Sequence, residues 1–317
     1  SAIPMPASAS GIPLQSGDAE LHGQPIFRVW TAPPLNGRHR FFCGGRCMCG
    51  PREDTKYNVC AWVCVSLPSI FFFSICAPFL WNEVSPVFPV AAAFFFVSTV
   101  SSLITTCCTD PGVLPKQPLV RIFDLEEVMD EATGYRKPNA ATESVEQTIF
   151  DRDSGPVTLS SRQAEQGFKW CNTCRVIRPP RASHCADCNA CVLRFDHHCP
   201  FVNNCVGQRN YIFFAWFLSS VTLLGFTVVV GIAVWLQAAG SDDKVASSLV
   251  WVTGAAVAIP AALLGLSVMV FCCYHLSLTL RGKTTKEALT GKDTHGATIW
   301  AARGPVLVPW RQVVPPI

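Results

Sequence analysis

Charged residues are scarce in this chain, and its first residues lack the apolar core of a secretory signal. Asp, Glu, Lys and Arg make up only 15% of the 317 residues, whereas half are hydrophobic. The formal net charge of +3 is too small to indicate a nucleic acid as partner. Residues 1–25 are rich in Pro, Ser and Gly, and we expect them to be disordered.

Four long apolar runs contain no Asp, Glu, Lys or Arg. They cover residues 57–81, 87–108, 211–236 and 246–276. Each is near or above the ~20 residues that a helix needs to cross a bilayer, and in lipid only a helix or a closed barrel satisfies its own backbone. The sequence therefore predicts an all-α integral membrane protein with four transmembrane helices. Core helices of a soluble protein are the weaker alternative. A channel or transporter is disfavoured because its path usually needs an ionisable residue within a span.

The basic residues are distributed unevenly between the two sides of the predicted membrane. Both termini and the stretch between the second and third spans hold 24 of the 25 Lys and Arg, and only Lys244 lies in the two opposite loops. By the positive-inside rule the termini and the central stretch are cytosolic. We expect a multi-pass protein of an internal membrane (Golgi or endoplasmic reticulum) or of the plasma membrane.

The chain is expected to have six regions. A cytosolic, partly disordered N-terminal region (1–56) precedes the first two helices (57–108). A cytosolic linker (109–167), whose residues from 113 onward are read as a loop with short elements, leads to a cysteine-rich segment (168–210). The third and fourth helices (211–276) and a cytosolic tail (277–317) follow.

Seventeen cysteines occur in the chain, and seven of them fall between Cys171 and Cys205. Their spacing in CxxC-type pairs interleaved with histidines is typical of zinc ligands kept as thiolates in a reducing compartment, rather than of a disulfide framework. Two zinc ions need eight ligands, whereas the segment offers ten. The simpler interpretation is a zinc ribbon that only binds partners. The ten donors are Cys171, Cys174, His184, Cys185, Cys188, Cys191, His197, His198, Cys199 and Cys205.

Three motifs closely resemble those of the DHHC protein S-acyltransferases, and the resemblance spans residues 28–290. The first is Asp196-His197-His198-Cys199-Pro200, followed by Asn203, Asn204, Cys205, Val206, Gly207, Asn210 and Tyr211. The other two resemble the family's DPG and TTxE motifs: Asp110-Pro111-Gly112 after the second span and Thr284-Thr285-Lys286-Glu287 after the fourth.

This resemblance implies two structural zinc ions and a small set of catalytic residues. One zinc would be held by Cys171, Cys174, His184 and Cys191, and the other by Cys185, Cys188, His198 and Cys205. His197 and Cys199 are then left over, with Asp196 beside them. A free thiol is only a few per cent thiolate at neutral pH, so Cys199 needs a base. His197 is that base and Asp196 orients it.

The resemblance also implies the reaction and its partners. The acyl group of palmitoyl-CoA would pass to Cys199 and then, in a ping-pong sequence, to cysteine thiols of membrane-associated proteins with cytosolic cysteines. The fatty chain would enter a cavity among the spans, in contact with membrane lipid. Arg178 and Arg181 are candidates to contact the CoA phosphates. Ordinary juxtamembrane positive charge is the equally weighted alternative for both.

Several residues have a supporting role or an open one. Asp110, Thr285 and Glu287 are expected to brace the active site, although a helix cap would also explain the TTxE motif. His275 is read as an interfacial residue near the end of the fourth span and not as a ligand. Seven cysteines near the cytosolic face are candidates for acylation: Cys43, Cys47, Cys49, Cys107, Cys108, Cys272 and Cys273. Packing as small apolar residues is at least an equal alternative for Cys107, Cys108, Cys272 and Cys273.

Two departures from the family pattern and one subfamily feature complete the comparison. Phe201 stands where Trp is common, which keeps an aromatic ring. The tail after Glu287 lacks the aromatic and Asn signature of many members, which puts C-terminal packing in doubt. The segment from Arg38 to Arg46 and the pair Gly291-Lys292 are similar to the subfamily that acylates Ras-type GTPases. A small accessory subunit is therefore a candidate partner.

Overall fold

The computed structural model describes residues 28, 37–139, 143, 145–151, 155–239 and 244–291. The predictions of disorder at residues 1–25 and of weak packing at the end of the tail lie outside them. The chain divides into two compact units. We call residues 114–191 the linker unit, and residues 38–113 with 192–291 the membrane unit.

Eight helices occur in the described part of the chain. They are α1 (Thr55–Phe71), α2 (Val87–Cys108), α3 (Gln117–Ile122), α4 (Glu126–Thr133), α5 (Ser161–Glu165), α6 (Tyr211–Ala239), α7 (Lys244–Leu280) and α8 (Thr285–Thr290). The helical backbone of α1 continues to Val84 through two π-helical stretches, Phe72–Cys76 and Leu80–Val84, on either side of Ala77–Phe79. Short 3-10 helices cover Cys43–Gly45, Arg52–Asp54 and Pro200–Val202.

The strands of the described residues are all short. They are β1 (Arg40–Phe42), β2 (Cys47–Cys49), β3 (Val113–Leu114), β4 (Val145–Asp151), β5 (Gly155–Ser160), β6 (Lys169–Cys171), β7 (Val176–Arg178), β8 (Ser183–Cys185), β9 (Ala190–Val192), β10 (His197–Cys199) and β11 (Asn204–Val206). Four antiparallel pairs, β1–β2, β4–β5, β6–β7 and β10–β11, form two-stranded sheets. Apart from β4 and β5, these strands are too short to be recognised from alternating hydrophobicity.

Four helical segments are long and apolar enough to cross a membrane, which confirms the predicted number of spans. They are Arg52–Val84, Val87–Cys108, Tyr211–Ala238 and Val250–Leu280. Many of their large apolar side chains, including Phe94, Val97 and Leu263, are exposed on the surface of the protein. Such exposure is costly in water and is expected of a surface that faces lipid.

A core of apolar side chains holds the spanning helices together. Phe72, Leu80 and Ile232 are fully buried in it, and Ala92 of α2 packs in the same cluster. Gly231 of α6 makes this packing possible, because a Cβ at that position would lie 2.5 Å from Cε2 of Phe72. Small residues allow helices to approach closely in membranes, where packing is the main attraction between them.

The linker unit contains more regular structure than the sequence indicates. Residues 113–167 form α3, α4 and the β4–β5 hairpin, and α5 begins with a capping box in which Ser160 and Gln163 bond each other's backbone N–H groups. Elements this short carry little hydrophobic periodicity. The sequence therefore predicted a loop with short elements but did not locate these helices and strands.

Candidate active site and metal centres

The β10–β11 hairpin separates the two kinds of histidine in the Asp-His-His-Cys segment. Side chains alternate between the two faces of a strand, so His197 and Cys199 lie on one face and His198 lies on the other. The register pairs His198 with Cys205, whose Sγ is 3.5 Å from Nδ1 of His198. Three adjacent residues of one strand therefore divide between two tasks.

Asp196 is buried, with only 1% of its surface exposed, and its carboxylate has three hydrogen-bond partners. Oδ2 lies 2.6 Å from Nδ1 of His197 and accepts from Oγ1 of Thr285 at 2.7 Å, while Oδ1 accepts from the backbone N of Thr285 at 2.8 Å. Burial raises the pKa of Asp196, but the hydrogen bonds from His197 and Thr285 lower it by more, so the pKa is below its usual value.

The contact with Asp196 fixes the orientation of the His197 ring. An ionised carboxylate only accepts hydrogen bonds, so Nδ1 carries the proton and Nε2 is the acceptor nitrogen of the neutral ring. Nε2 is buried and makes no hydrogen bond with any residue in the described part of the chain. Burial lowers the pKa of His197, whereas Asp196 and the neighbouring Cys199 sulfur raise it, to about 9 overall. The ring therefore holds a proton readily once it has accepted one.

Cys199 lies where the hairpin meets the spanning helices. Its side chain is buried in an apolar cluster with Leu103 of α2 and with Phe214, Phe217 and Leu218 of α6. The Phe214 ring also packs edge to face against His197, with centroids 5.3 Å apart. The thiol is thus surrounded by hydrocarbon on the side of the helices and by His197 on its own strand.

The TTxE motif combines both roles considered for it. Thr284 is the N-cap of α8 and forms a capping box with Glu287, whose Oε2 accepts from the backbone N of Thr284 at 2.9 Å. This cap presents Thr285, the first residue of the helix, to Asp196 through its N–H and its hydroxyl. Thr285 contacts the Asp196 carboxylate directly, whereas Glu287 acts on the helix end that carries Thr285.

The structure places Asp110 with a different group of residues. Its Oδ1 accepts from the backbone N of Gly112 and of Val113, both at 2.8 Å, and its Oδ2 pairs with the guanidinium of Arg209. Asp110 therefore joins the end of α2 to the turn that precedes α6. It supports the scaffold around the hairpin, and the hydrogen bonds of the Asp196 carboxylate come from His197 and Thr285 instead.

Two buried amides explain much of the Asn-rich segment after Cys199. Nδ2 of Asn204 lies within 2.9–3.4 Å of four carbonyl oxygens, those of Met48, Thr106, Cys107 and Thr109. Asn210 accepts from the backbone N of Gly207 and donates to the carbonyl of Cys205. Asn204 thus fastens β11 to the end of α2, and Asn210 fixes the turn between β11 and α6.

The first set of predicted zinc ligands lies entirely in the linker unit and has the geometry of a metal site. Nδ1 of His184 lies 3.7 Å from Sγ of Cys171, 3.4 Å from Sγ of Cys174 and 3.8 Å from Sγ of Cys191. A tetrahedral zinc site with ordinary Zn–S and Zn–N bonds has sulfur–nitrogen edges of about 3.6 Å. Three thiolates and one imidazole are a typical structural zinc set, so these residues fit the ion.

The second set matches the first in its donors and in its local turns. The set comprises Cys185 and Cys188 of the linker unit and His198 and Cys205 of the membrane unit, three thiols and one imidazole as in the first set. In each CxxC turn the backbone N of the second cysteine donates to Sγ of the first at 3.5 Å. The residue after each turn, Arg175 or Asn189, has a positive φ. The two turns of the linker unit therefore have the same conformation.

Asp54 is a site residue that sequence reasoning missed. Its Oδ2 lies 2.8 Å from Nε2 of His198, whose Nδ1 faces Cys205. Histidine ligands of zinc commonly give their second N–H to a carboxylate, which fixes the ring and its tautomer. No local pattern around residue 54 signals this role, because its partner is 144 positions away in the chain.

Replacing Asp54 by Asn is expected to weaken one zinc site roughly 10- to 100-fold, the usual cost of removing such an outer partner. The amide has the same shape but lacks the charge that strengthens the imidazole as a ligand. Zinc transfer to a competing chelator measures the change. Glu53→Gln, which alters the exposed neighbour, is the matched control. Equal zinc retention in the two variants would contradict the role of Asp54.

The structure contradicts the interpretation of His275. His275 is 2% exposed and packs beside His197, with ring centroids 5.6 Å apart, so its interpretation as an interfacial residue was wrong.

Arg178 and Arg181 lie in the linker unit. Nη2 of Arg178 donates to the carbonyl of Trp170 at 3.3 Å, and Arg181 has a positive φ of 68°. Their role toward a CoA molecule stays a prediction.

Comparison with known proteins agrees with these features. Residues 164–292 match the family described as DHHC palmitoyltransferase. The human Palmitoyltransferase ZDHHC14 is 38% identical over 202 residues, which is 62% of this chain and 38% of that protein. The human Palmitoyltransferase ZDHHC18 is 31% identical over 267 residues, which is 83% of this chain and 64% of the relative.

A fungal relative extends the comparison. Palmitoyltransferase ERF2 of Eremothecium gossypii is 36% identical over 257 residues, covering 80% of this chain and 63% of that protein. The chain thus spans less than two thirds of the length of each of these three relatives. The matched region contains the spare Asp196, His197 and Cys199 together with both sets of metal donors.

Proposed function

We propose that the chain is a DHHC-type protein S-palmitoyltransferase, an enzyme that moves a long-chain acyl group from acyl-CoA to protein cysteines, on the basis of its similarity to that family. One observation carries this proposal: the buried Asp196 holds His197 through Nδ1, and the Cys199 sulfur is close enough to the same ring to raise the pKa of His197. A nucleophile, its base and an orienting group are the components of covalent acyl transfer.

In the first step, Nε2 of His197 accepts the proton of the Cys199 thiol. The thiolate attacks the thioester carbonyl of acyl-CoA, the carbon–sulfur bond to CoA breaks, and CoA leaves as a thiol with the proton returned by the imidazolium. Asp196 stabilises the imidazolium throughout, because its carboxylate stays ionised and bonded to Nδ1.

In the second step, a substrate cysteine takes the place of CoA. His197 accepts the proton of the incoming thiol, the new thiolate attacks the carbonyl of the acyl-enzyme, and Cys199 is released and protonated again. Both steps exchange one thioester for another, so little driving force is needed and ping-pong kinetics follow. The apolar surroundings of Cys199 limit access of water, which would otherwise hydrolyse the intermediate.

The position of Cys199 against the helices suits a fatty acyl substrate. Burying a chain of this kind is favoured by roughly 0.8 kcal/mol per CH2 group. Leu103, Phe214 and Phe217, which pack in one cluster with Cys199, offer an apolar route into the spans. We assign the palmitoyl chain to the interior of the helices and the thioester to their end.

The remaining parts of the proposal concern zinc, CoA and the surroundings of the enzyme. The two ligand sets would each hold one structural zinc ion, and Arg178 with Arg181 would contact the CoA phosphates. The termini and the central stretch would face the cytosol of a Golgi, endoplasmic reticulum or plasma membrane. Membrane-associated proteins with cytosolic cysteines would be the acyl acceptors. The similarity to the Ras-acylating subfamily points to Ras-type GTPases as the most specific acceptors and to a small accessory subunit as a partner.

Incubation of the purified protein with an alkyne analogue of palmitoyl-CoA tests the proposal. Label on the wild-type chain should be released by hydroxylamine, which cleaves thioesters, and the Cys199→Ser variant should carry no such label. Cys273→Ser, which changes an exposed cysteine of α7, is the matched control and should label as the wild type does. Absence of thioester label in the wild type would favour a zinc module that recruits partners without catalysis.

A further inference from the structure

His275 of α7 is a buried side chain to which the proposed reaction gives no task. It is 2% exposed, and neither ring nitrogen makes a hydrogen bond with any residue that the structure describes. Leaving a buried polar atom without a partner is costly, so buried nitrogens in folded proteins are almost always satisfied by a protein atom, a water or an ion. His275 has two such nitrogens.

The surroundings of His275 fix the ring but offer it few polar contacts. Phe271 lies edge to face at 4.5 Å between centroids, Phe214 at 5.1 Å and Tyr274 at 5.6 Å. His197, at 5.6 Å, is the ring neighbour that has a titratable nitrogen of its own. The aromatic rings therefore hold the imidazole of His275 beside the imidazole of His197.

The polar atoms of three side chains converge at this point. One ligand atom each of Asp196, His197 and His275 lies within 4.8 Å of the other two. Both nitrogens of His275 are buried and without hydrogen-bond partners in the described residues, and Nδ1 is the His197 nitrogen that faces Asp196. The Asp196 carboxylate already accepts from His197 Nδ1 and twice from Thr285, and a carboxylate retains lone pairs beyond three such bonds.

We propose that Asp196, His197 and His275 form a third metal site, which takes a divalent transition ion such as Zn²⁺. Two imidazoles and one carboxylate are donors that suit first-row transition metals. The two structural sets provide four ligands each, whereas this trio provides three and leaves a position open. The third ion is therefore held more weakly and exchanges, while the structural ions stay bound.

An ion at this site would control the reaction, and this consequence rests on the proposed function. Coordination uses the lone pair of a His197 nitrogen, and the proposed mechanism needs that lone pair to accept the thiol proton. The metal-bound chain would be unable to form the acyl-enzyme. Removing the ion with a weak chelator would restore formation of the acyl-enzyme. The site would thus make the enzyme sensitive to free zinc.

Metal counting on the purified full-length chain tests the site without relying on activity. After dialysis against a weak chelator the protein should hold two zinc ions, and titration with Zn²⁺ should add one more. His275→Phe, which keeps an aromatic ring, and His275→Gln, which keeps a polar group, should both stop at two. Tyr274→Phe, a change in the adjacent aromatic residue, should bind the third ion as the wild type does. The two retained ions also show that each variant is folded.

The outcomes separate this inference from the proposed function. A wild type that stays at two ions under excess Zn²⁺, or a His275→Phe variant that reaches three, overturns the third site and leaves a bound water as the partner of His275. If the third ion binds and labelling by the palmitoyl-CoA analogue is absent in every sample, the metal site stands and the enzymatic proposal fails. If Zn²⁺ suppresses the label in the wild type but not in His275→Phe, the result supports both the third metal site and the enzymatic proposal.

Discussion

The His197→Ala variant is expected to form the acyl-enzyme roughly 10²- to 10⁴-fold more slowly than the wild type at neutral pH, the usual contribution of a general base. The Cys199 thiol would then have to ionise without the imidazole that takes its proton. His197 belongs to neither set of four zinc donors, so the variant should keep its two zinc ions. Rapid-quench measurement of CoA release in a single turnover gives the rate.

The pH dependence of this defect separates loss of the base from loss of structure. A free cysteine ionises near pH 8.5. As the pH rises above about 9, hydroxide from the solvent can therefore accept the thiol proton in place of His197. The gap between wild type and variant should narrow there. Asp196→Asn should also slow the reaction, because the ring loses the carboxylate that orients it. A His197→Ala rate equal to that of the wild type at pH 7 would exclude His197 as the base.

The His184→Ala variant is expected to lose one zinc ion and the cooperative unfolding of the linker unit. Nδ1 of His184 is within 3.8 Å of three cysteine sulfurs, and the strands β6, β8 and β9 that carry ligands of this site have only three residues each. Metal binding contributes on the order of 10–16 kcal/mol to the folding of small zinc sites, which exceeds the stability of most domains. Zinc content and thermal unfolding of the purified variant measure the effect.

Two substitutions are the controls for this loss. Ser183→Ala changes the neighbouring residue of β8 and should keep both ions. Cys199→Ala removes a cysteine of the same segment that the account leaves free of metal, and it should also keep both ions. Two zinc ions in purified His184→Ala protein would show that the ligand assignment is wrong. One zinc ion in Cys199→Ala protein would also show that the ligand assignment is wrong, because Cys199 would then be a zinc ligand.

The large features of the fold could be predicted from the sequence because they depend on composition. Four runs without a charged residue predict four spanning helices, and all four are present. The CxxC pairs and their histidines predict metal binding because few other tasks need such spacing, and the four donors of the first set come together within the linker unit. In both cases the signal lies in neighbouring residues, so no knowledge of long-range packing is required.

Contacts between distant residues were predicted only where a family motif marked the residue. The partner of His198, Asp54, is 144 positions away, and the partner of Asp196, Thr285, is 89 positions away. Thr285 was recognised through a family motif, whereas Asp54 belongs to none of the motifs that were compared. His275 looked like an interfacial residue because a lone histidine at the end of an apolar run has that appearance, and only packing against Phe214 and Phe271 reveals its burial.

The different roles of His198 and His197 were expected from the family resemblance, and the structure supplies the physical reason for them. A strand of three residues is too short to identify from its sequence, yet its alternation directs His197 and Cys199 to one face and His198 to the other. Asp110 shows the opposite case: its motif was recognised, but the structure pairs it with Arg209. Motifs name the residues of a site, and contacts decide what each of them does.

Mass-spectrometric location of the acyl group on the chain tests the central claim most directly. The protein is exposed briefly to palmitoyl-CoA, then to a peptide with an acceptor cysteine, and sampled at both stages. We expect a thioester on Cys199 at the first stage and its transfer to the peptide at the second. Acylation of other cysteines with Cys199 unmodified, or a Cys199 adduct that persists in the presence of the peptide, would contradict the account.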